Sequence, residues 1–159
     1  GGVEIPHEKG LVGHSDGDVL LHALTDAILG AAGEPDIGAL FPDTDLTLLG
    51  ARSRKFLAEA RTRIRRSGLQ VTSADLVLHA ERPKIAPHAA AIRASIAALL
   101  GLPLARVGLK AKTHEGLGDV GKGRAMEATA LVVLAALGSS RGVRGKRKDV
   151  RRVAPGGNG

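Results

Sequence analysis

The chain has 159 residues, an apolar share of 43% and a formal net charge of +7. That length favours one domain, able to bury about two-thirds of the surface its unfolded chain exposes. The apolar residues are almost all Ala, Leu, Val and Ile; there are two Phe and no Tyr, Trp or Cys. So few aromatics argue against stacking on bases, and the lack of Cys excludes disulfides, thiolate zinc sites and Cys nucleophiles. No apolar run approaches the ~20 residues that span a bilayer, and the first residues carry no signal-peptide pattern. An enzyme or binding protein of the cytoplasm, with no membrane partner, is the expectation.

The positive charge is uneven. Residues 139–159 hold seven basic side chains and one acid, whereas residues 1–138 hold 16 basic and 15 acidic ones. The expected organisation is therefore a nearly neutral domain over 1–138 followed by a basic, disordered tail over 139–159. A nucleic-acid-binding module acting through that tail is an alternative reading. It is disfavoured because such basic runs are usually solvated appendages.

Residues 1–13 read as a short strand and loop. Ser15 or Asp16 can cap a helix whose apolar stripe is Val19, Leu20, Ala23, Leu24, Ala27 and Ile28, ended by Gly30 and Gly33. Residues 34–50 carry Pro, Gly and Asp at turn density and predict a long loop, which inside a compact domain is usually functional. Ser53 to Ser67 predicts a second helix with Phe56, Leu57, Ala60 and Ile64 inward, stopped by Gly68. A strand is expected over 69–80, a third helix over 88–100 and a strand around Val107, Leu109 and Ala111. Residues 116–123 read as a glycine-rich loop. The segment from Ala125 to Leu137 is ambiguous by period, and its β-branched residues favour a buried strand. The expected class is α/β, a two-layer α+β sandwich in which helices cover one face of a small mixed sheet.

Several polar groups stand out. Asp18, His22 and Asp26 are spaced by four on the first helix; each step rotates about 40°, so they share a face. Such a face suits a zinc or manganese ion, or a ligand His oriented by carboxylates, or plain solvent. His14 and Ser15 precede that helix, where free N–H groups attract anions; Ser15 alone could simply be a cap. Asp36, Asp43 and Asp45 lie in the long loop and suit sugar hydroxyls, a hydrated cation or turn formation. Lys112-Thr113-His114-Glu115 follows a strand end: Lys and Thr can contact phosphate, and Glu115 can ligate magnesium. No nucleophile motif supports covalent acyl chemistry.

Taken in order, HSDGDVLLHALTDAILGAAG, DIGALFPDTD, ERPKIAPH and KAKTHEG closely resemble the 2-C-methyl-D-erythritol 2,4-cyclodiphosphate synthase family, from Gly1 to about Leu137. The resemblance implies a homotrimer with active sites between subunits. It implies a metal-dependent, cyclising lyase of non-mevalonate isoprenoid biosynthesis, acting on a small-molecule cytidine diphosphate derivative. The cofactors it implies are divalent metals, zinc plus magnesium or manganese. It further implies His22 as a zinc ligand and Glu115 as a magnesium ligand. His14 and Ser15 would contact the substrate, with His14 and Thr113 acting in the transition state. Asp36, Ile37 and Gly38 would hold the sugar hydroxyls, under a flap of Phe41, Pro42, Asp43, Thr44 and Asp45. Ala80, Lys84, Ile85 and Ala86 would line the cytidine pocket.

Three departures from the family pattern are evident. Family members begin with a strand carrying Asp-x-His, two of three zinc ligands; the sequence here starts after that point. A truncated, catalytically impaired fragment, or part of a bifunctional fusion, is therefore a further expectation. The family's Gly-Phe-Thr-Gly-Arg-Gly-Glu-Gly loop reads Gly118-Asp119-Val120-Gly121-Lys122-Gly123-Arg124 here, without its aromatic residue and with Lys for Arg. Lys112 stands where the family has the first Thr of a pair.

Overall fold

The structure, a computed structural model, describes residues 1–11, 15–42, 44 and 50–138. The expected basic tail lies outside them. Helix α1 (Val19–Ala31) is followed by a single turn, α2 (Ile37–Leu40), and by α3 (Ser53–Arg66). Strand β1 (Leu69–His79), α4 (Ala89–Leu100), β2 (Val107–Lys112), the one-turn α5 (Gly118–Gly121) and β3 (Glu127–Ala136) complete the chain order.

The sheet has the order β2-β1-β3. β1 runs parallel to β2, with His79 opposite Lys112, and antiparallel to β3, with His79 opposite Glu127. The C-terminal ends of β1 and β2 and the N-terminal end of β3 therefore meet at one edge. A bulge between Val71 and Ser73 shifts the β1–β3 register. The hydroxyl of the extra residue, Thr72, donates to the Val133 carbonyl at 3.1 Å. The bulge therefore leaves that carbonyl satisfied.

Helices pack on one face of this sheet. α1 buries Leu20, Leu21, Leu24, Ile28 and Leu29. Its one buried polar side chain, Thr25, donates to the Leu21 carbonyl at 2.7 Å, so burial leaves no hydroxyl unpaired. α3 contributes Phe56, Leu57, Ala60 and Ile64, and its last turn carries Arg63, Arg65 and Arg66, the charge a helix C-terminus favours. α4 buries Ile92, Ile96, Ala97 and Leu100. It ends at Gly101, whose φ of 68° lets the Leu102 N–H return to the Ala97 carbonyl. Apart from Phe56, the buried apolar residues of these helices form one core with Leu76, Leu78 and Val107.

The two-layer α/β expectation holds, with five local corrections, the first being that the expected loop over 34–50 contains the helical turn α2. Residues 1–11 contain no strand: they lie on the core without a strand partner, and a side chain at Gly1 would strike Ile92. The cap of α1 is Asp18, whose Oδ1 accepts the Leu21 N–H at 3.0 Å. Asp16 instead serves α3. The glycine loop at 116–123 contains the short turn α5. β3 is not a buried strand: Leu131 is 65% exposed and Val133 49%, because among the described residues no helix covers the second face of the sheet.

Candidate active site

The segment before α1 is held from both sides. Asp18 accepts the Gly2 N–H at 2.6 Å on one side and the Leu21 N–H at 3.0 Å on the other. Asp16 reaches the start of α3, where its Oδ2 accepts the Ser53 N–H at 3.1 Å and its Oδ1 accepts the Ser53 hydroxyl. The residue at the N-cap of α3, Arg52, offers no capping oxygen, so Asp16 supplies the negative charge from a distant loop.

His22 sits half-buried on the next turn of α1, its Nε2 3.1 Å from Ser15 Oγ. Its ring lies 6.1 Å from that of Phe56, which packs on Phe41 at 4.7 Å. Asp36 caps α2 by accepting the Ala39 N–H at 2.8 Å. Asp26 accepts the Ile37 N–H at 2.8 Å. Thus Ser15, His22, Asp36, Ile37 and Phe41 form one cluster around α1. Gly38, Pro42 and Thr44 are exposed beside it. His14, Asp43 and Asp45 lie outside the described residues.

This geometry revises the metal face read from spacing. Asp18 and Asp26 share a helix face with His22, yet one carboxylate closes a helix end and the other anchors α2. Among the described residues no three His, Cys, Asp or Glu side chains come together as a metal site. They supply one candidate zinc ligand, His22, where a catalytic zinc takes three from protein. Glu115, an exposed carboxylate, suits a hard cation such as magnesium.

The second cluster lies at the sheet edge. Ala80 donates its N–H to the Lys112 carbonyl at 2.9 Å, bringing residues 80–86 beside residues 113–115. Ala80 and Ile85 are buried, Ala86 opens a short 3-10 turn, and the exposed Lys84 lies 3.6 Å from Glu81. The Arg82–Pro83 peptide is cis. Thr113 and Glu115 are exposed, on a turn closed by the Leu117 N–H to the His114 carbonyl at 2.8 Å. Gly121 packs so closely on this turn that a Cβ would lie 2.5 Å from the Gly116 carbonyl carbon. Among the described residues no hydrogen bond or ion pair joins this cluster to the one around α1.

A cleft of about 630 Å³ opens at the same end, lined among others by Gly2, Asp18, Arg52, Arg54, Pro83 and Ile85. Its lining is of mixed charge, with Lys9, Arg52 and Arg54 beside Glu4, Asp16 and Asp18. Neither arginine is marked by a motif in the sequence, and nothing local in it points to the Asp16–Ser53 contact. The only signal was an arginine on either side of a serine at a helix start.

The family model for the YgbB family matches residues 1–135. The chain belongs to the YgbB family. Among relatives, the 2-C-methyl-D-erythritol 2,4-cyclodiphosphate synthase of Chromobacterium violaceum is 55% identical over 135 residues, 85% of this chain and 85% of that one. A solved synthase in its CDP-bound form superposes with a TM-score of 0.78 at 46% identity, covering 84% of this YgbB chain and 87% of the other. The bifunctional IspDF of Campylobacter jejuni gives 0.81 at 42% identity, with 85% of this chain matching 37% of that larger one. The YgbB fold is thus a small α/β unit with a mixed three-stranded sheet.

Proposed function

We propose that the chain is a 2-C-methyl-D-erythritol 2,4-cyclodiphosphate synthase. The observation that carries this is 55% identity over 135 residues with the C. violaceum synthase. The reaction converts 4-diphosphocytidyl-2-C-methyl-D-erythritol 2-phosphate to the cyclic diphosphate. An oxygen of the 2-phosphate bonds to the β-phosphorus, the bond from that phosphorus to the CMP oxygen breaks, and CMP leaves with the electron pair. Such in-line transfer depends on positioning and on charge stabilisation more than on covalent chemistry by the protein.

The two clusters divide that work. His14 and Ser15 contact the substrate ahead of α1, and Asp36, Ile37 and Gly38 hold the sugar hydroxyls under the flap of Phe41 to Asp45. Ala80, Lys84, Ile85 and Ala86 receive the cytidine, and Thr113 steadies the phosphates as charge shifts. His22 would hold zinc and Glu115 magnesium or manganese; when bound, these ions neutralise the diphosphate. Each site is completed by a neighbouring subunit. The uncovered sheet face, with Leu131 and Val133 exposed, supplies an apolar surface for a homotrimer. The synthase unit is residues 1–138, with the basic tail outside it. Among the described residues no helix is long and apolar enough to cross a membrane, and a cytoplasmic location fits the substrate.

The test is CMP formation from the diphosphocytidyl substrate, with zinc and magnesium, by the natural gene product that contains this chain. CMP and the cyclic product in equal amounts are expected. A folded protein releasing neither refutes the assignment.

A further inference from the structure

We propose that His79 and His114 form a clasp that fixes the turn Thr113–Glu115 against the stem of segment 80–86, which makes His79 a positioning residue for the reaction. This rests on the function proposed above.

The two imidazoles meet at the sheet edge. His79 is the last residue of β1, and His114 lies two residues past β2. His79 Nδ1 and His114 Nε2 are 2.9 Å apart, and the rings cross edge to face with centroids 5.0 Å apart. One ring donates its N–H and the other accepts through its lone pair. Both side chains are half-buried, where water competes less for that bond.

The position matters more than the bond's strength. The Ala80 N–H to Lys112 carbonyl bond is the last backbone link between the parallel strands. Beyond it one chain turns into 80–86 and the other into 113–115. Among the described residues the imidazole bond is the next link across the gap. It therefore sets the separation between the nucleoside-binding segment and the groups assigned to phosphate and magnesium.

The turn needs such fixing. Glu115 has a φ of 51°, a left-handed conformation that costs energy for any residue with a Cβ and persists only where its surroundings impose it. The Leu117 N–H holds the His114 carbonyl and Gly121 braces Gly116, but both ties are internal to residues 114–121. The His79 ring is the tie to the nucleoside side. Freeing it lets Thr113 and Glu115 drift relative to the bound diphosphate, and small misplacements at a reacting centre are costly.

The experiment compares wild type, His79→Ala and His79→Gln in the natural gene product. It reads CDP affinity with magnesium by calorimetry, CMP release and the magnesium concentration for half-activity. For His79→Ala, weaker CDP binding and a higher magnesium requirement are expected, each about tenfold, the low end of what loss of a supporting contact near a metal site costs. His79→Gln, which can still hydrogen-bond His114, recovers most of the loss. If His79→Ala does not fold, His114→Asn against His114→Ala makes the same comparison. Wild-type CDP affinity and magnesium requirement in the alanine variant, or equal losses in the glutamine variant, overturn the clasp. A wild-type protein that neither binds CDP nor releases CMP overturns the proposed function instead.

Discussion

Asp16→Ala removes an acceptor used twice at one place. The Ser53 N–H and the Ser53 hydroxyl both donate to the Asp16 carboxylate, and Ser53 has no accessible surface. Hydrogen bonds to a charged acceptor contribute about 1.5–3 kcal/mol each. Asp16 is itself exposed, so its charge is screened and water can reach part of the gap. The loss of the α3 cap charge overlaps with the same contacts and is not counted again. Two such bonds at the low end sum to about 3 kcal/mol, and screening brings the expected total to about 2–3 kcal/mol. For a domain of this size that lowers the thermal midpoint by roughly 6–10 °C. Asp16→Asn keeps one carbonyl acceptor and should lose about half as much. Ser53→Ala deletes the hydroxyl but leaves the N–H bond, so it should also fall between. Urea denaturation of the four proteins, closed as a double-mutant cycle with Asp16→Ala/Ser53→Ala, measures the coupling. Destabilisation by Asp16→Ala of less than ~0.5 kcal/mol, the range of ordinary surface changes, refutes the claim that this carboxylate anchors α3.

Gly121→Ala places a methyl against the Gly116 backbone. A cost of about 1–3 kcal/mol in thermal or urea unfolding is expected, with a displaced 114–117 turn in amide NMR shifts. Glu115→Gln should keep the fold by circular dichroism and raise the magnesium requirement of CMP release at least tenfold, the scale set by loss of a ligating charge; an unchanged requirement refutes its role as the magnesium ligand. Leu131→Asp puts a charge on the uncovered sheet face and is expected to shift the protein from trimer to monomer in sedimentation analysis. A trimer that persists shows that this face is not the interface.

Much of this protein is set by local chemistry that the chain displays directly. Apolar residues at helical spacing specify α1, α3 and α4, alternation specifies β2 and more loosely β1, and β3 is marked only by its β-branched residues. The motifs HSDGDVLLH and DIGALFPDTD, with KAKTHEG later in the chain, indicate the reaction, because their residue types and order belong to one family. Other features depend on separations that sequence does not encode. Spacing places Asp18 and Asp26 on the His22 face but cannot show that one carboxylate closes a helix and the other anchors α2. Nothing local links Asp16 to Ser53, 37 positions on, or His79 to His114, 35 positions on. Those contacts exist because α3 packs beside α1 and because β1 and β2 run parallel in one register. A strand's period likewise tells which residues share a face, but not whether that face is covered. For β3 the helices pack on the other side, and so Leu131 and Val133 remain open.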